Sequence, residues 1–222
     1  MGASITDVLF EYWPIFLKGT IGTLKYAFIA VFFGTVLGTF IAIARLSKNK
    51  ILTNVSGVFV TVIRGTPLLV QMYIFYFFIP MVFPILNRVD KVYTVLMSLI
   101  LNSSAYVAEI IRSGIMSIDK GQFEAGDALG LSYWQTMGYV ILPQALKNVL
   151  PALGNEFIVL IKETSVSGYI ALQDLTKAGD IIRSQTYDAF MPLMAVAAIY
   201  LGCVMLLTWL LGIFERRLKR NE

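Results

Sequence analysis

The sequence predicts an all-α, polytopic membrane protein with five transmembrane helices. Three observations point there. Of 222 residues, 57% are hydrophobic and only 14% charged, whereas a soluble domain carries about 25% charged residues. Five stretches approach or exceed the roughly 20 apolar residues that cross a hydrocarbon core. The lysines and arginines gather beside those stretches, in short connections, as they do on the cytoplasmic side of inner-membrane proteins.

Taken in order, the first span is Ile21–Ala44, whose only charge, Lys25, lies near its start and can snorkel. Gly34 and Gly38 within it are four apart, a spacing that lets helix backbones approach closely, and Gly114 and Gly202 are candidates for the same use. The second span, roughly Leu52–Pro84, is interrupted by Arg64-Gly65-Thr66-Pro67, a sequence that should kink or break it. The third, Val92–Ala108, carries no charge before Glu109. The fourth, about Leu146 to Ile161, is broken by Lys147, Pro151 and Glu156. The fifth, Ala189–Phe214, is free of charge. The two most basic segments are RLSKNK, after the first span, and the tail ERRLKR. Four crossings separate them, so both are cytoplasmic if the N-terminus lies outside. Residues 112–135 are then cytoplasmic and residues 165–188 form a long external loop.

Several function classes are excluded. The formal charge is +4, but the basic residues flank apolar runs and make no aromatic-interleaved patch, so nucleic acid is not an expected partner. There is no histidine and a single cysteine, Cys203, and no clustered carboxylates. An intramembrane enzyme, a metal site and an internal disulfide are therefore not expected. No phosphate-binding G-x-x-x-x-G-K-[ST] loop is present, so ATP is not expected on this chain. The N-terminal segment lacks the pattern of a cleaved signal peptide, and the first span is expected to direct insertion. Its match to a myristoylation pattern is short and is treated as chance.

The polar segment DKGQFEAGDALGLSYWQT, 119–136, has mixed acidic and small apolar faces, consistent with a short cytoplasmic helix lying across the membrane surface. Its spacing is more specific. Glu124-Ala125-Gly126, three residues, Gly130, nine residues, Val140, one residue and Leu142-Pro143 resemble the EAA signature of the permease subunits of type I ATP-binding-cassette importers. Gly126 replaces the second alanine of that signature, and Val140 its isoleucine. The stretches GTIGTLKYAF, IARLSKNK, RGTPLLVQMYIFYFFIP, AYVAEIIRSGI and PALGNEFIVLIKETSV resemble, in the same order, the polar amino-acid branch. The resemblance implies a single transmembrane domain over 1–222, with a permease core at 17–218 and a coupling segment at 119–135, in a bacterial inner membrane. It implies that Glu124, Ala125, Gly126 and Gly130 dock on a separate ATPase that holds ATP and Mg, with Pro143 ending the surface stretch. The other implied partners are a second permease copy or related chain, an extracytoplasmic amino-acid-binding protein, membrane lipid and the transported amino acid.

Polar residues inside the apolar spans are functional candidates by default. Arg64, Thr66 and Pro67 could line a substrate path at a break in the second span, or form a structural kink with Arg64 paired to Glu109. Glu109 and Arg112, three apart on one helix face, are expected to form a structural ion pair. Asn155 and Glu156 fall within the fourth span, and a buried carboxylate there needs a positive partner. That partner is either Arg64 or the cation of a substrate. Ser103 completes the candidate substrate-contacting set. The resemblance favours a basic amino acid, arginine, lysine or histidine, because such members carry an acidic residue in this context; a glutamine, glutamate or other polar-solute importer is the alternative. Lys162 and Glu163 are expected at the external interface. A secondary carrier driven by an ion gradient is the main rival of another class, and no internal repeat supports it.

Overall fold

A computed structural model describes residues 5–170 and 172–219. Every regular element among them is helical. A short helix α1 (Ile5–Glu11) leads into α2 (Trp13–Leu46), and Asn49 caps α3 (Lys50–Gly65) by accepting from the amides of Ile51 and Leu52. After a break come α4 (Leu68–Tyr73), a π turn at Ile74–Phe78 and α5 (Ile79–Val82). Asp90 caps α6 (Lys91–Met116). The segment α7 (Lys120–Ala128) and α8 (Tyr133–Thr136) follows, then a second π turn at Met137–Ile141 and α9 (Leu142–Glu163). A 3-10 turn at Thr164–Tyr169 precedes α10 (Leu175–Thr186), and α11 (Phe190–Lys219) closes the chain.

Among the described residues three helices are long and apolar enough to cross a membrane: Trp13–Leu46, Lys91–Met116 and Phe190–Leu218. The pair Lys50–Gly65 and Leu68–Val82 meets the same test as one broken unit, bent by 104°. The fourth stretch expected from sequence is helical over 22 residues, long enough to span, but its charges keep it below that apolar standard.

The core is a seam between α2 and α6. Helix α2 is apolar on every side, so hydrophobic periodicity cannot choose its buried face; residue size does. Its buried positions are Phe16, Gly19, Thr23, Ala27, Ala30, Gly34, Gly38 and Ala42, almost all small. A Cβ at Gly34 would fall 2.6 Å from Ser103 Oγ, and one at Gly38 would fall 2.7 Å from the Ser104 carbonyl oxygen. Between such surfaces, lipid offers no hydrophobic drive, and close backbone approach supplies the dispersion contact. Gly114 serves in the same way, because a Cβ there would fall 2.4 Å from Val149 of α9. Gly202 does not: nothing lies within 4 Å of its would-be Cβ.

At the other end of the molecule, α10 is folded down onto α2 and α11. Asp174 is 1% exposed. Its carboxylate accepts from the Lys177 amide at 2.9 Å, capping α10, and from the Tyr200 hydroxyl at 3.2 Å. The Leu175 amide donates to Thr23 Oγ1 at 3.0 Å. This polar knot ties the segment before α10 to α2 and α11 without any ion pair to Asp174 among the described residues.

Candidate functional site

The first candidate region is built at the end of α3. Gly65 is the last helical residue, and Thr66 takes extended backbone angles, φ −114° and ψ 144°. Pro67 cannot donate a backbone hydrogen bond and disfavours helix in the residue before it, so the helix stops. Arg64 therefore sits on the last turn before the bend, rather than midway along a continuous span. It borders a cleft of about 450 Å³ lined by Arg45, Val60, Thr61, Arg64, Gly65, Tyr106 and Glu109. The Arg64 guanidinium lies over the Tyr106 ring, 5.0 Å from its centroid, a cation–π contact.

Glu109 holds the opposite wall of that cleft. Arg112 donates to it through Nε at 3.1 Å and through Nη2 at 2.5 Å. Arg45 comes within 3.6 Å from α2. Arg64 acts on Glu109 through charge alone and makes no ion pair with it among the described residues. The cleft and its rim thus gather three guanidinium groups around one carboxylate. Arg45 and Tyr106 were not anticipated as members. Tyr106 stands three residues before Glu109 on the same helix face, which was readable; Arg45 served only as a topology marker.

Glu156 is placed elsewhere. It is 6% exposed and turns toward α6, where Ser103 is its polar neighbour and the charges of Arg64 and Glu163 act on it. Ser103 Oγ is itself buried without a hydrogen-bond partner. No ion pair reaches Glu156 among the described residues. Asn155 does not share this environment: one residue earlier on a helix is about 100° round the axis, and Asn155 is exposed. The two candidates are therefore separated. Glu163 also points inward, and Asn102 Nδ2 donates to its carboxylate at 3.4 Å, so it is half-buried protein contact rather than an interfacial group. Thr66 and Pro67 are exposed at the bend. Thr66 Oγ1 donates to the Val62 carbonyl at 2.9 Å.

The polar segment 119–136 is a small folded unit. Helix α7 ends at Ala128, and two residues on stands Gly130, whose φ of +73° favours glycine. The Leu131 amide bonds to the Gly126 carbonyl and the Gly130 amide to that of Asp127, both at 3.0 Å, the pattern that closes orphan carbonyls at helix ends. Ser132 then caps α8 with a reciprocal bond to Gln135. Glu124, Ala125 and Gly130 face outward, but Gly126 is buried. Its missing side chain makes room for Thr136, which a Cβ would meet at 2.5 Å. The smallness of Gly126 is spent inside the chain and not on the exposed face. Gln144 on α9 donates to Gln122 at 3.2 Å, tying α7 to the rod behind it.

Pro143 does not interrupt the helix. Helix runs on from Tyr133 to Glu163, because the π turn Met137–Ile141 precedes the proline and the Leu142 amide bonds to Met137. The wider turn moves aside the carbonyl that a proline ring would strike in an α-helix. The Val140 carbonyl accepts from Gln144 Nε2 at 2.8 Å. The same device recurs at Ile74–Phe78 before Pro80.

Residues 13–220 match the family of inner membrane components of binding-protein-dependent transport systems. A putative glutamine transport system permease protein from Rickettsia bellii is 42% identical, covering 96% of this chain and 98% of that one. The glutamine transport system permease protein of Escherichia coli K12 is 41% identical over 93% and 94%. Among solved structures, an amino acid ABC transporter crystallised with histidines is 43% identical, with a TM-score of 0.89 over 98% of this chain. A methionine ABC transporter, 20% identical with a TM-score of 0.76, shares the fold.

Proposed function

The chain belongs to the family of inner membrane components of binding-protein-dependent transport systems, and from that premise we propose that it forms half of the membrane pathway of an ATP-driven importer for a polar amino acid. In this reading five segments cross the membrane: α2, the bent α3–α5 unit, α6, α9 and α11. The N-terminus lies outside and the C-terminus in the cytoplasm. The charges of α9 are compatible with a span because Glu156 and Glu163 face protein rather than lipid. The exposed residues Glu124, Ala125 and Gly130 meet a separate ATPase subunit, Gly126 holds α7 on α8, and a second permease copy or a related chain completes the pathway. An extracytoplasmic binding protein delivers the solute to the side that carries α10.

The observation that carries the substrate reading is Glu156, a buried carboxylate with no cation paired to it among the described residues. A buried charge is stable only with a partner, and a transported amino acid brings an ammonium or guanidinium group. Arg64, with Tyr106 beneath it, is suited to a carboxylate. Arginine, lysine or histidine is the first reading, supported by the acidic site. Glutamine is the second, favoured by what the relatives are named for, since any amino acid offers an α-ammonium group.

A thermal-shift series on the permease purified with its ATPase tests this. A ligand at 100 times its dissociation constant adds about 2.7 kcal/mol to the folded state. Selective stabilisation by arginine, lysine or histidine, absent in Glu156→Gln, is the expected result. Stabilisation by glutamine alone, lost in the same variant, establishes the second reading. No shift with any amino acid overturns the assignment of Glu156.

A further inference from the structure

We infer that Gln71 is a positioning residue that fixes the bend between α3 and α4 and thereby sets where Arg64 and Thr66 stand. The break at Gly65–Pro67 strips the end of α3 of its next turn, leaving backbone carbonyls without helical donors. In a membrane no water replaces those donors, so some other group must. Gln71, five residues past Thr66 and on the far side of the bend, supplies it. Its Nε2 donates to the Ile63 carbonyl at 2.7 Å, to the Thr66 carbonyl at 3.1 Å and to Thr66 Oγ1 at 2.9 Å.

The amide has one useful orientation. Turned over, it would set Oε1 against two carbonyl oxygens. Gln71 is 6% exposed and its Oε1 has no partner, so the side chain leaves one acceptor unbonded while the two hydrogens of its nitrogen are shared among three oxygens. Those contacts span both arms of a 104° bend. At the break itself the side chains leave room, for a Cβ at Gly65 would meet no atom within 4 Å, while the two arms pack on α6 through Val60 and Met72. Pro67 breaks the helix and Gln71 fixes the angle.

The placement of Arg64 in the pathway rests on the proposed function; the hold on the bend does not. The test separates the two. In the complete transporter carrying Cys203→Ser, spin labels at Val58→Cys on α3 and Met81→Cys on α5, both exposed sites, report the bend by pulsed electron resonance. Gln71→Met keeps volume and removes the donor; Gln71→His keeps a donor near the same place. The expected result is a broadened or shifted distance distribution for Gln71→Met, restored toward wild type in Gln71→His. The transport KM for the amino acid should rise about tenfold in the first variant and less in the second, as expected when buried carbonyls lose their donor. Thr66→Val, which removes one of the three contacts, should move the distribution in the same direction by less, and serves if Gln71→Met does not fold. A wild-type distribution in Gln71→Met, or in Thr66→Val where that variant stands in for it, overturns the inference. A changed bend with an unchanged KM upholds Gln71 as the positioning residue and removes Arg64 from the pathway.

Discussion

The α2–α6 seam and the α3–α4 bend both contain glycine, and they use it for opposite ends. In the seam, Gly34 and Gly38 exist because α6 occupies the space a side chain would need. At the bend, Gly65 has open space around it, and the geometry is set by Pro67 and by the amide of Gln71. A helix pair held by shape tolerates no added atoms. A bend held by hydrogen bonds tolerates added atoms and fails when a donor is lost. Glycine alone therefore says little about where a membrane protein is rigid.

The contrast can be broken in three places. Gly38→Val should have the largest effect. Its new atoms meet the Ser104 backbone and Val107, and backbone cannot swing away; overpacking of this kind costs about 3 kcal/mol. Fluorescence-detected size exclusion after heating should show a markedly lower midpoint or no folded peak, and an unchanged midpoint would mean the seam is softer than its distances imply.

Asp174, in the knot that holds α10 on α2 and α11, comes next. Replacing it by alanine removes the cap of α10 and the acceptor of Tyr200, a loss of about 1 kcal/mol by comparison with other caps. Asparagine keeps a capping oxygen. Asp174 caps α10 between the long helices, where burial pushes its carboxyl above the ordinary range, partly offset by bonds from Lys177, Thr176 and Tyr200. The fold thus favours the protonated form. This contribution is full below the ordinary carboxyl range and is lost as pH rises from that range through the raised native value. Asp174→Asn should accordingly hold or raise the midpoint at neutral pH and flatten its dependence between acid and neutral conditions, while Asp174→Ala lowers it throughout.

Gly65→Ala should do least, within about 0.5 kcal/mol, because it adds a helix-favouring residue where nothing is in the way. A large loss in the same heating assay would show that a neighbouring chain occupies that space.

Much of this was legible in residue order. The small-residue spacing of α2 marks its buried face, the EAA-type spacing locates α7 and α8, and Arg64 to Pro67 marks the break. What was not legible depends on which way a side chain turns. Gly202 has the same chemistry as Gly34 but faces no helix. Asn155 and Glu156 are neighbours in sequence and lie on different faces of α9. Gly126 belongs to the EAA-type stretch, yet its missing side chain makes room for Thr136 within the chain. Pro143 reads as a terminator and is absorbed, because a π turn leaves no mark in composition. Gln71 is one polar residue in an apolar run, and only the bend brings it back to Ile63.

The unbroken helix from Tyr133 to Glu163 makes α8 and α9 a single lever. From the Ser132 cap to Glu156 is about 36 Å at 1.5 Å per residue, so a tilt of about 5° at its foot sweeps the carboxylate through about 3 Å. That stroke is about the length of one hydrogen bond; under the proposed function it is enough to carry Glu156 out of reach of a substrate cation.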